Sequence, residues 1–499
     1  MRTVQIQDGQ FTDSAGRSVI LHGINMVCKD QGRNYIGPWT RDDFAKLKEW
    51  GLNVIRLGIF WDGVEPHPGE YDDAYLDRNA ELIKLAAEYG IWVVLDMHQD
   101  LFGYPYGGGA PSWAVLTDGK PHVPTKIWSD AYLLSPAIWQ AFDSFWQNRP
   151  AVDGLGLQDH YARAWRYVAS RYRDYDHVIG YDIMNEPFIG SAVNQIQPLM
   201  YEQFHKEWGR AREDMDFDEL FAAWLDPKRR PERLEILNDV GRYARVIGAV
   251  TRGYGQFEWG ILSSFYQRVA EAIRSVDQDG IIFLETNYFG NIGVLSNIQP
   301  VRDQRGTKDP SQAYAPHGYD LVTDTESPEG ASPQRLRFIF QQHELTRNRL
   351  QAPMFVGEWG AFYNSQQTKD IALCIKDIFE QLLCGDAYWS YEGPHMAQLP
   401  FFPSIRRGYP MAVSGKIQHY YYDADTGYFE CTWQEDGGNE STTIYLPDCT
   451  NPRAWQIQLA PEGSSFSLEP LGETACYLHI PPWSPCCGTV RVLRVEGTD

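Results

Sequence analysis

Two glutamates, each placed directly after a short apolar run, are the residues of this chain best suited to chemistry. Glu186 lies in an Asn-Glu-Pro triplet after the run 178–184, and Glu358 lies in a Gly-Glu-Trp triplet after the run 353–356. Apolar runs of this length are typical of buried strands. Two carboxyl groups delivered from two strand ends into one cleft can act as proton donor and nucleophile at a glycosidic bond. The pair therefore predicts glycoside hydrolysis, which one glutamate alone would not indicate.

The elements that must position this pair alternate over the first 400 residues. Short β-branched runs are followed by stretches in which apolar residues recur at helical spacing, as between residues 82 and 89. Thr40 is the expected N-cap of a helix that runs to Trp50. The eight predicted strands are 18–25, 54–57, 91–97, 178–184, 281–284, 313–317, 353–356 and 387–389. Eight strands interleaved with helices predict an α/β fold, the (β/α)8 or TIM barrel.

Two long segments interrupt this pattern, 98–158 after the third strand and a charged, helix-rich insertion at 190–255 after the fourth. Both leave the barrel at the strand ends where active sites are built, so we expect them to wall or cover the cleft.

The pattern of apolar and turn residues changes near residue 408, which divides the chain into a barrel domain, 1–407, and a C-terminal domain, 408–499. Short alternating runs separated by turn residues predict a β-sandwich in the second domain. The predicted strands are 416–423, 427–434, 441–446, 455–459, 475–480 and 489–495.

Further polar residues fall at the same ends of the barrel strands as the two glutamates. They are Arg56 within strand two, His98 after strand three, Asn185 after strand four, His317 and Tyr319 after strand six, and Trp389 at the end of strand eight. Any one of them alone would more often be structural. Together they converge on one rim of the barrel, which indicates a site.

This set resembles glycoside hydrolase family 5, in the clan of barrel glycosidases whose acid/base and nucleophile follow strands four and seven. All eight residues of the family pattern occur in order: Arg56, His98, Asn185, Glu186, His317, Tyr319, Glu358 and Trp389. The resemblance covers residues 15–405 and implies a retaining O-glycosyl hydrolase. The implied reaction requires neither a metal nor another cofactor.

Within the family, the chain is most similar to the endoglycoceramidase and glucosylceramidase branch. The stretches 96–102, 314–320 and 408–415 support that similarity. In that branch a Lys after strand one and an Asp after the strand-three His-Gln bind sugar hydroxyls, which here implies Lys29 and Asp100. The insertion at 190–255 departs from the endo-acting members.

The retaining mechanism implies a role for each carboxyl group. Glu358 is predicted to be the nucleophile, held ionised and aimed by Arg56 and Tyr319. Glu186 is predicted to be the acid/base, which needs a raised pKa that falls once Glu358 becomes an uncharged ester. The expected sugar contacts are Asn185 with the 2-hydroxyl and the ring of Trp389 as the floor of the subsite, although core packing is the other interpretation of Trp389.

Composition limits the partners. The formal net charge of −22 argues against nucleic acids and anionic membranes as partners. The sequence has no run of 18 or more apolar residues, so a membrane-spanning helix is not predicted. The chain opens without a visible secretory signal, so we expect a cytoplasmic location, or secretion if a leader has been removed. The sequence leaves the oligomeric state open.

Eight cysteines, at 28, 374, 384, 431, 449, 476, 486 and 487, lack metal-ligand spacing. Free thiols are the favoured prediction. In an oxidising compartment, one of the adjacent pair 486–487 would bond to Cys476 or Cys449.

The predicted substrate is a β-glucoside on a hydrophobic aglycone, of glycosphingolipid type, with transient contact to lipid aggregates. Other family 5 activities, such as steryl β-glucosidase, mannanase or cellulase, and a non-catalytic carbohydrate-binding barrel are the alternatives. An apolar channel on the leaving-group side would distinguish the lipid glycosidases. Its candidate lining residues are Phe102, Tyr104, Tyr106, Trp113, Trp139, Phe188, Ile189 and Tyr288.

Six large rings in the insertion predict a packed helical lid with one apolar face. They are Phe204, Trp208, Phe217, Phe221, Trp224 and Tyr243. A lid that narrows the glycone end would favour one- or two-sugar substrates over gangliosides. Packing of the rings against the C-terminal domain, away from the cleft, is the other possibility.

Overall fold

Strands and helices alternate over most of the chain in a computed structural model that describes residues 3–209, 217–448, 455–483 and 487–497. The strands are β1 (Val4–Gln7), β2 (Gln10–Asp13), β3 (Ser18–Val19), β4 (His22–Met26), β5 (Val54–Ile59), β6 (Trp92–Met97), β7 (Val178–Asp182), β8 (Ile281–Leu284), β9 (Gln312–Tyr314), β10 (His317–Gly318), β11 (Phe355–Gly360), β12 (Gly385–Trp389), β13 (Tyr409–Val413), β14 (Lys416–Tyr422), β15 (Phe429–Gln434), β16 (Thr442–Leu446), β17 (Trp455–Ala460), β18 (Ser467–Leu471), β19 (Ala475–Ile480) and β20 (Val490–Gly497). The α-helices are α1 (Arg41–Glu49), α2 (Trp61–Val64), α3 (Asp73–Glu88), α4 (Ala131–Leu134), α5 (Pro136–Trp146), α6 (Leu157–Tyr172), α7 (Val193–Glu207), α8 (Phe217–Leu225), α9 (Arg230–Leu237), α10 (Val240–Phe257), α11 (Ser263–Arg274), α12 (Pro333–Leu350) and α13 (Lys369–Leu382).

The predicted barrel is confirmed. Strands β4 to β12 pair in parallel in the order β10-β11-β12-β4-β5-β6-β7-β8-β9, and a bridge between Tyr314 and Met354 closes the ring. Its strands are buried on both faces, which is why they read in the sequence as near-continuous apolar runs. Thr40 begins α1 with a capping box, and Trp50 is its C-cap residue.

The sixth barrel strand differs from its prediction because it is divided into β9 and β10. Pro316 lies between the two pieces and has no N–H to donate to a neighbouring strand. Its carbonyl still accepts the N–H of Gly357 at 2.9 Å. As a result β9 pairs with β8, and β10 pairs with β11.

Helices follow the strands less regularly than the pattern predicted. Within residues 285–311, which separate β8 from β9, the structure has a 3-10 turn at Tyr288–Ile292 and no α-helix. The segment 98–158 contains α4 and α5, and the insertion 190–255 contains α7 to α9 and most of α10. The helix-rich character predicted for the insertion is therefore confirmed.

The first three strands serve the C-terminal domain and the base of the barrel, whereas the sequence analysis assigned residues 1–407 to the barrel and predicted no strand before residue 18. The predicted first strand, 18–25, is divided into β3 of the C-terminal sheet and β4 of the barrel. β1, β2 and β3 join β13, β16, β19 and β18 in one seven-stranded sheet. The β1–β2 hairpin also closes the barrel at its N-terminal end, where Phe11 stacks on Phe283 with ring centroids 6.2 Å apart.

The C-terminal domain consists of that sheet and a four-stranded sheet, β14-β15-β20-β17. Residues of both sheets share one apolar core, including Trp433 and Tyr445. All six strands predicted here are present. The prediction missed β13 and β18, each of which contains a proline, Pro410 and Pro470, that reads as a break in a strand.

Among the described cysteines, Cys28, Cys374, Cys384, Cys431 and Cys487 are free. Cys476 is disulfide-bonded, so the expectation of free thiols is wrong at this position. Cys449 and Cys486 lie outside the described residues. Over the described ranges, every helix is too short or too polar to cross a membrane.

Candidate active site

A cavity of about 260 Å³ opens at the C-terminal ends of the barrel strands, where the two glutamates lie. Eight of the ten predicted site residues line it: Lys29, His98, Asp100, Asn185, Glu186, Tyr319, Glu358 and Trp389. The other two, Arg56 and His317, are almost fully buried and lie behind this lining, against the carboxyl groups. The structure thus brings together residues that are spread over 360 positions of the sequence.

The two glutamates face each other across a short gap. One carboxylate oxygen of Glu186 and one of Glu358 lie within 4.8 Å of each other and of a ring nitrogen of His317. His317 Nδ1 is 2.9 Å from Glu186 Oε1 and 3.5 Å from Glu358 Oε2. This short separation agrees with a retaining mechanism, in which one of the carboxylates attacks the sugar directly.

Arg56 supports the site from below through its whole guanidinium group. Its Nη1 donates to Glu358 Oε1 at 2.7 Å. Its other nitrogens face the carboxylates of Asp96, Asp182 and Glu285 at 2.9, 2.9 and 2.7 Å. Three clustered carboxylates could by composition hold a metal ion, but here the guanidinium supplies the positive charge that they need.

Glu358 also accepts a hydrogen bond from the hydroxyl of Tyr319, at 2.9 Å from Oε2. Burial raises the pKa of Glu358 to about 8; His317 and Arg56 oppose that rise, and Glu186 adds to it. A second negative charge nearby disfavours ionisation of a buried carboxyl group, so the contact with Glu186 acts in the same direction as burial. The sequence analysis expected Glu358 to be held ionised by Arg56 and Tyr319; Arg56 does oppose the rise, but burial outweighs it and the pKa of Glu358 is raised.

The two histidines of the site carry opposite charge states. Burial lowers the pKa of His98 well below its ordinary value, so this ring is neutral. Burial also acts to lower the pKa of His317, but the negative charges of Glu285 and Glu358 outweigh it and raise the pKa well above the ordinary range. His317 is therefore a cation between the two glutamates.

Polar and aromatic side chains of the same cavity form a subsite. The His98 ring stacks on Trp389, with centroids 5.2 Å apart and planes at 14°. Lys29 Nζ forms an ion pair with Asp100 Oδ2 at 2.7 Å and lies 4.6 Å from the ring centre of Trp389. An aromatic floor with a ring of hydrogen-bonding groups is suited to a sugar.

The insertion forms the opposite, apolar wall of the same cavity. Its contributions include Met200, Tyr201, Phe204, Leu220, Trp224, Leu237, Tyr243, Val246 and Ile247. Helix α10 packs on α7, and the Tyr243 hydroxyl donates to the carbonyl of Ile292 at 2.7 Å. The rings of Phe204, Trp224 and Tyr243 therefore face the cleft, as the lid interpretation expected; the side chains of Phe217 and Phe221 lie outside the described residues.

The channel residues proposed from the sequence are mostly elsewhere. Of those eight, Tyr288 lines the cavity, while Phe102, Phe188 and Ile189 belong to the hydrophobic core. The segment 98–158 contributes Ile127, Trp128 and their neighbours instead. The eight residues show no sustained helical or strand period in the sequence. Their spacing therefore could not show which of them face the cavity and which belong to the hydrophobic core.

Two residues of the site, Asn291 and Glu285, were not predicted from the sequence. Asn291 donates from Nδ2 to Glu186 Oε1 at 2.6 Å. Glu285 accepts from Arg56 at 2.7 Å and follows directly after β8. Its position after a strand end, like that of Glu186, was the available signal. No feature of the local sequence distinguishes Asn291 from other loop asparagines.

A parallel eight-stranded barrel with two facing glutamates, one after its fourth strand and one in its seventh, defines a retaining glycosidase. The sequence profile described as Cellulase (glycosyl hydrolase family 5) matches residues 12–214 and 250–394. The profile described as glycoside hydrolase family 5 C-terminal domain matches residues 407–486. The chain belongs to glycoside hydrolase family 5, and the unmatched residues 215–249 fall within the insertion.

Curated relatives include an endoglycoceramidase of Hydra vulgaris, 32% identical over 99% of this chain and 89% of the relative. Endoglycoceramidase I of Rhodococcus hoagii is 25% identical over 92% of this chain and 82% of the relative. A glucosylceramidase of Aspergillus fumigatus is 29% identical over 39% of this chain and 34% of the relative.

A solved structure of endo-glycoceramidase II from Rhodococcus sp. superimposes with a TM-score of 0.75 and 27% identity, covering 98% of this chain and 99% of that one. That enzyme has also been solved as a lactosyl-enzyme intermediate and in complex with ganglioside GM3. A covalent intermediate in this relative agrees with the short gap between Glu186 and Glu358. The protein is thus a glycoside hydrolase that acts by double displacement.

Proposed function

We propose that this enzyme cleaves the β-glucosidic bond that joins a glycan to the ceramide of a glycosphingolipid. The observation that carries the proposal is the division of one cavity into two halves. A polar half contains Lys29, Asp100 and Trp389, and an apolar half is formed by the insertion. A substrate with a sugar at one end and a hydrocarbon at the other fits such a division.

The direction of binding is proposed from the match between substrate and cavity. The sugar is placed in the polar half and the hydrocarbon of the aglycone in the apolar half. Glu358, held by Tyr319 and Arg56, is the proposed nucleophile. Glu186, which accepts a hydrogen bond from Asn291, is the proposed acid/base that protonates the leaving oxygen.

The glycone end is not the end that the insertion walls, so we propose that longer glycans are accepted. The Lys29 side chain at this end is 40% exposed. The sphingolipid relatives named above, one of them solved with a ganglioside, support this. The insertion thus acts on aglycone choice.

Exposed rings at the mouth of the cavity suit transient contact with lipid aggregates. Trp128 is 39% and Tyr363 40% exposed, although both line the cavity. Aromatic rings of this kind are favoured at the boundary between water and lipid.

A hydrolysis screen tests the proposal. Glucosylceramide, lactosylceramide, a ganglioside, a steryl glucoside and cello-oligosaccharides are compared by kcat/KM, and the anomer of the product is followed. We expect the ceramide substrates to be preferred, with the ganglioside hydrolysed at least as well as glucosylceramide. A clear preference for the steryl glucoside or for cello-oligosaccharides would contradict the proposal, and rejection of the ganglioside would contradict the open glycone end.

The polar half makes a specific prediction. Lys29→Ala and Asp100→Ala should each weaken transition-state binding by about 1–3 kcal/mol, because each removes hydrogen bonds to sugar hydroxyls. The measurement is kcat/KM on lactosylceramide. Lys46→Ala is the control, since its ion pair with Glu49, also at 2.7 Å, lies on the outer helix α1. Native rates in both site variants would rule out this glycone subsite.

The apolar half of the cavity also makes a specific prediction. Met200 and Leu199 are neighbours on α7, but Met200 lines the cavity and Leu199 is 45% exposed. Met200→Glu should lower kcat/KM for lactosylceramide by about 30-fold or more, because a charge would face the hydrocarbon chain. It should have little effect on 2,4-dinitrophenyl β-lactoside, which has no such chain. Leu199→Glu should change neither substrate; equal losses in the two variants would contradict the assignment of this wall.

A further inference from the structure

The backbone at Glu186 has an unusual conformation. Its φ is 43°, in the left-handed region that residues other than glycine rarely adopt. Such a conformation persists only where surrounding contacts hold it, and it fixes where the side chain points. The contacts at this peptide therefore decide the aim of the proposed acid/base.

Two side chains that contact no substrate position hold this peptide from opposite sides. The backbone N–H of Glu186 donates to Glu285 Oε2 at 2.7 Å. The Gln99 amide donates to the carbonyl of Asn185 at 2.8 Å and to the carbonyl of Glu186 at 3.0 Å. Both holding residues are buried, with exposures of 2% and 5%.

Glu285 connects this peptide to the other charged groups. Its second oxygen, Oε1, accepts from Arg56 Nη2 at 2.7 Å and lies 3.3 Å from His317 Nε2. The other nitrogen of the same imidazole reaches Glu186 Oε1 at 2.9 Å. One carboxylate thus accepts the backbone N–H of Glu186 and lies at ion-pair distance from the imidazole that contacts the Glu186 side chain.

These contacts select one oxygen of Glu186 for proton transfer. Oε1 already accepts hydrogen bonds from His317 Nδ1, at 2.9 Å, and from Asn291 Nδ2, at 2.6 Å. That leaves Oε2 to carry the proton toward the leaving oxygen. A small shift of this peptide would move Oε2 away from the leaving oxygen, and misplacement by about 1 Å can cost about 100-fold in rate.

We infer that Glu285 is a positioning residue for proton donation, which aims Glu186 through its backbone N–H and through His317. The inference rests on the acid/base role proposed for Glu186. The negative charge of Glu285 also contributes, because Glu285 is among the groups that keep His317 protonated. Gln99 supports the other side of the same peptide.

The test uses two substrates that differ in their need for an acid. Octyl β-lactoside has a poor leaving group that must be protonated, and 2,4-dinitrophenyl β-lactoside has a good one that need not be. In Glu285→Gln, kcat/KM for the octyl substrate should fall at least about tenfold more than for the dinitrophenyl substrate. Loss of packing alone would lower both equally.

A matched control is Glu65→Gln. Glu65 is also fully buried and also paired with a histidine, His160, at 2.7 Å, but it lies outside the cavity. Its replacement should lower both substrates to the same degree or not at all. If Glu285→Gln does not fold, Gln99→Met removes the hydrogen bonds on the other side of the Glu186 backbone. It should show the same larger loss on the octyl substrate than on the dinitrophenyl substrate.

The outcomes separate the inference from the proposed function. Equal losses on the two substrates in the Glu285 or Gln99 variant, while Glu186→Ala shows the bias, would overturn the inference alone. If Glu186→Ala itself shows no bias, the acid/base assignment fails as well. A bias in Glu285→Gln that is absent from Glu65→Gln supports the positioning role.

Discussion

Glu358→Gln is expected to reduce turnover by on the order of 10⁴-fold or more while leaving the fold intact. An amide of the same shape cannot attack the sugar carbon or form the covalent glycosyl-enzyme. The side chain is only 4% exposed, so the neutral amide also avoids the cost of burying a charge. We therefore expect the melting temperature to be unchanged or raised.

The measurement is single-turnover hydrolysis of 2,4-dinitrophenyl β-lactoside, with thermal unfolding followed in parallel. Added azide should not restore activity to this variant, because the amide still blocks the approach of a small nucleophile. The Glu435→Gln variant, altered at a buried carboxylate of the C-terminal domain, is the control for indirect effects. Residual activity above about 1% of native, or an inverted product from the native enzyme, would contradict the assignment.

Glu186→Ala should show a loss that depends on the leaving group. We expect hydrolysis of octyl β-lactoside to fall by about 10²–10⁴-fold, the range typical of lost general acid catalysis. With 2,4-dinitrophenyl β-lactoside, formation of the glycosyl-enzyme should be nearly normal, because that leaving group departs without a proton. Breakdown of the intermediate should then be slow, since no base activates water.

Azide gives the complementary observation. It needs no general base, so it should react with the intermediate of Glu186→Ala and restore turnover. The expected product is the glycosyl azide of retained anomer, identified by NMR. No rescue, or an azide of inverted anomer, would assign the acid/base role elsewhere.

The success of the barrel prediction depended on local patterns. Strand β8 occupies Ile281–Leu284 as predicted, because four consecutive apolar residues bounded by turn signals suit a strand that is covered on both faces. Prolines account for three of the strand errors: β9 and β10 are separated at Pro316, and β13 and β18 contain prolines, which local rules exclude from strands.

The site was predicted in part for the same reason. The residues after strands four and seven are identified by their place relative to an apolar run. Glu285 has a comparable place after β8, but its role depends on Arg56, His317 and the peptide of Glu186, all distant in sequence. Asp96 and Asp182 are similar, since acids inside apolar strands have meaning only when the guanidinium between them is known.

By itself, therefore, the sequence determined the barrel, the β domain that follows it and the two glutamates that face the cleft. Periodicity and residue type are properties of short stretches, so they can be read without knowing any contact. Only the tertiary structure decided which carboxylates surround Arg56, which glutamate has the pKa of about 8, and that the insertion forms the apolar wall. Those features depend on strand register around a closed barrel and on helix packing over its rim, which bring together residues whose separation in sequence carries no trace of their contact.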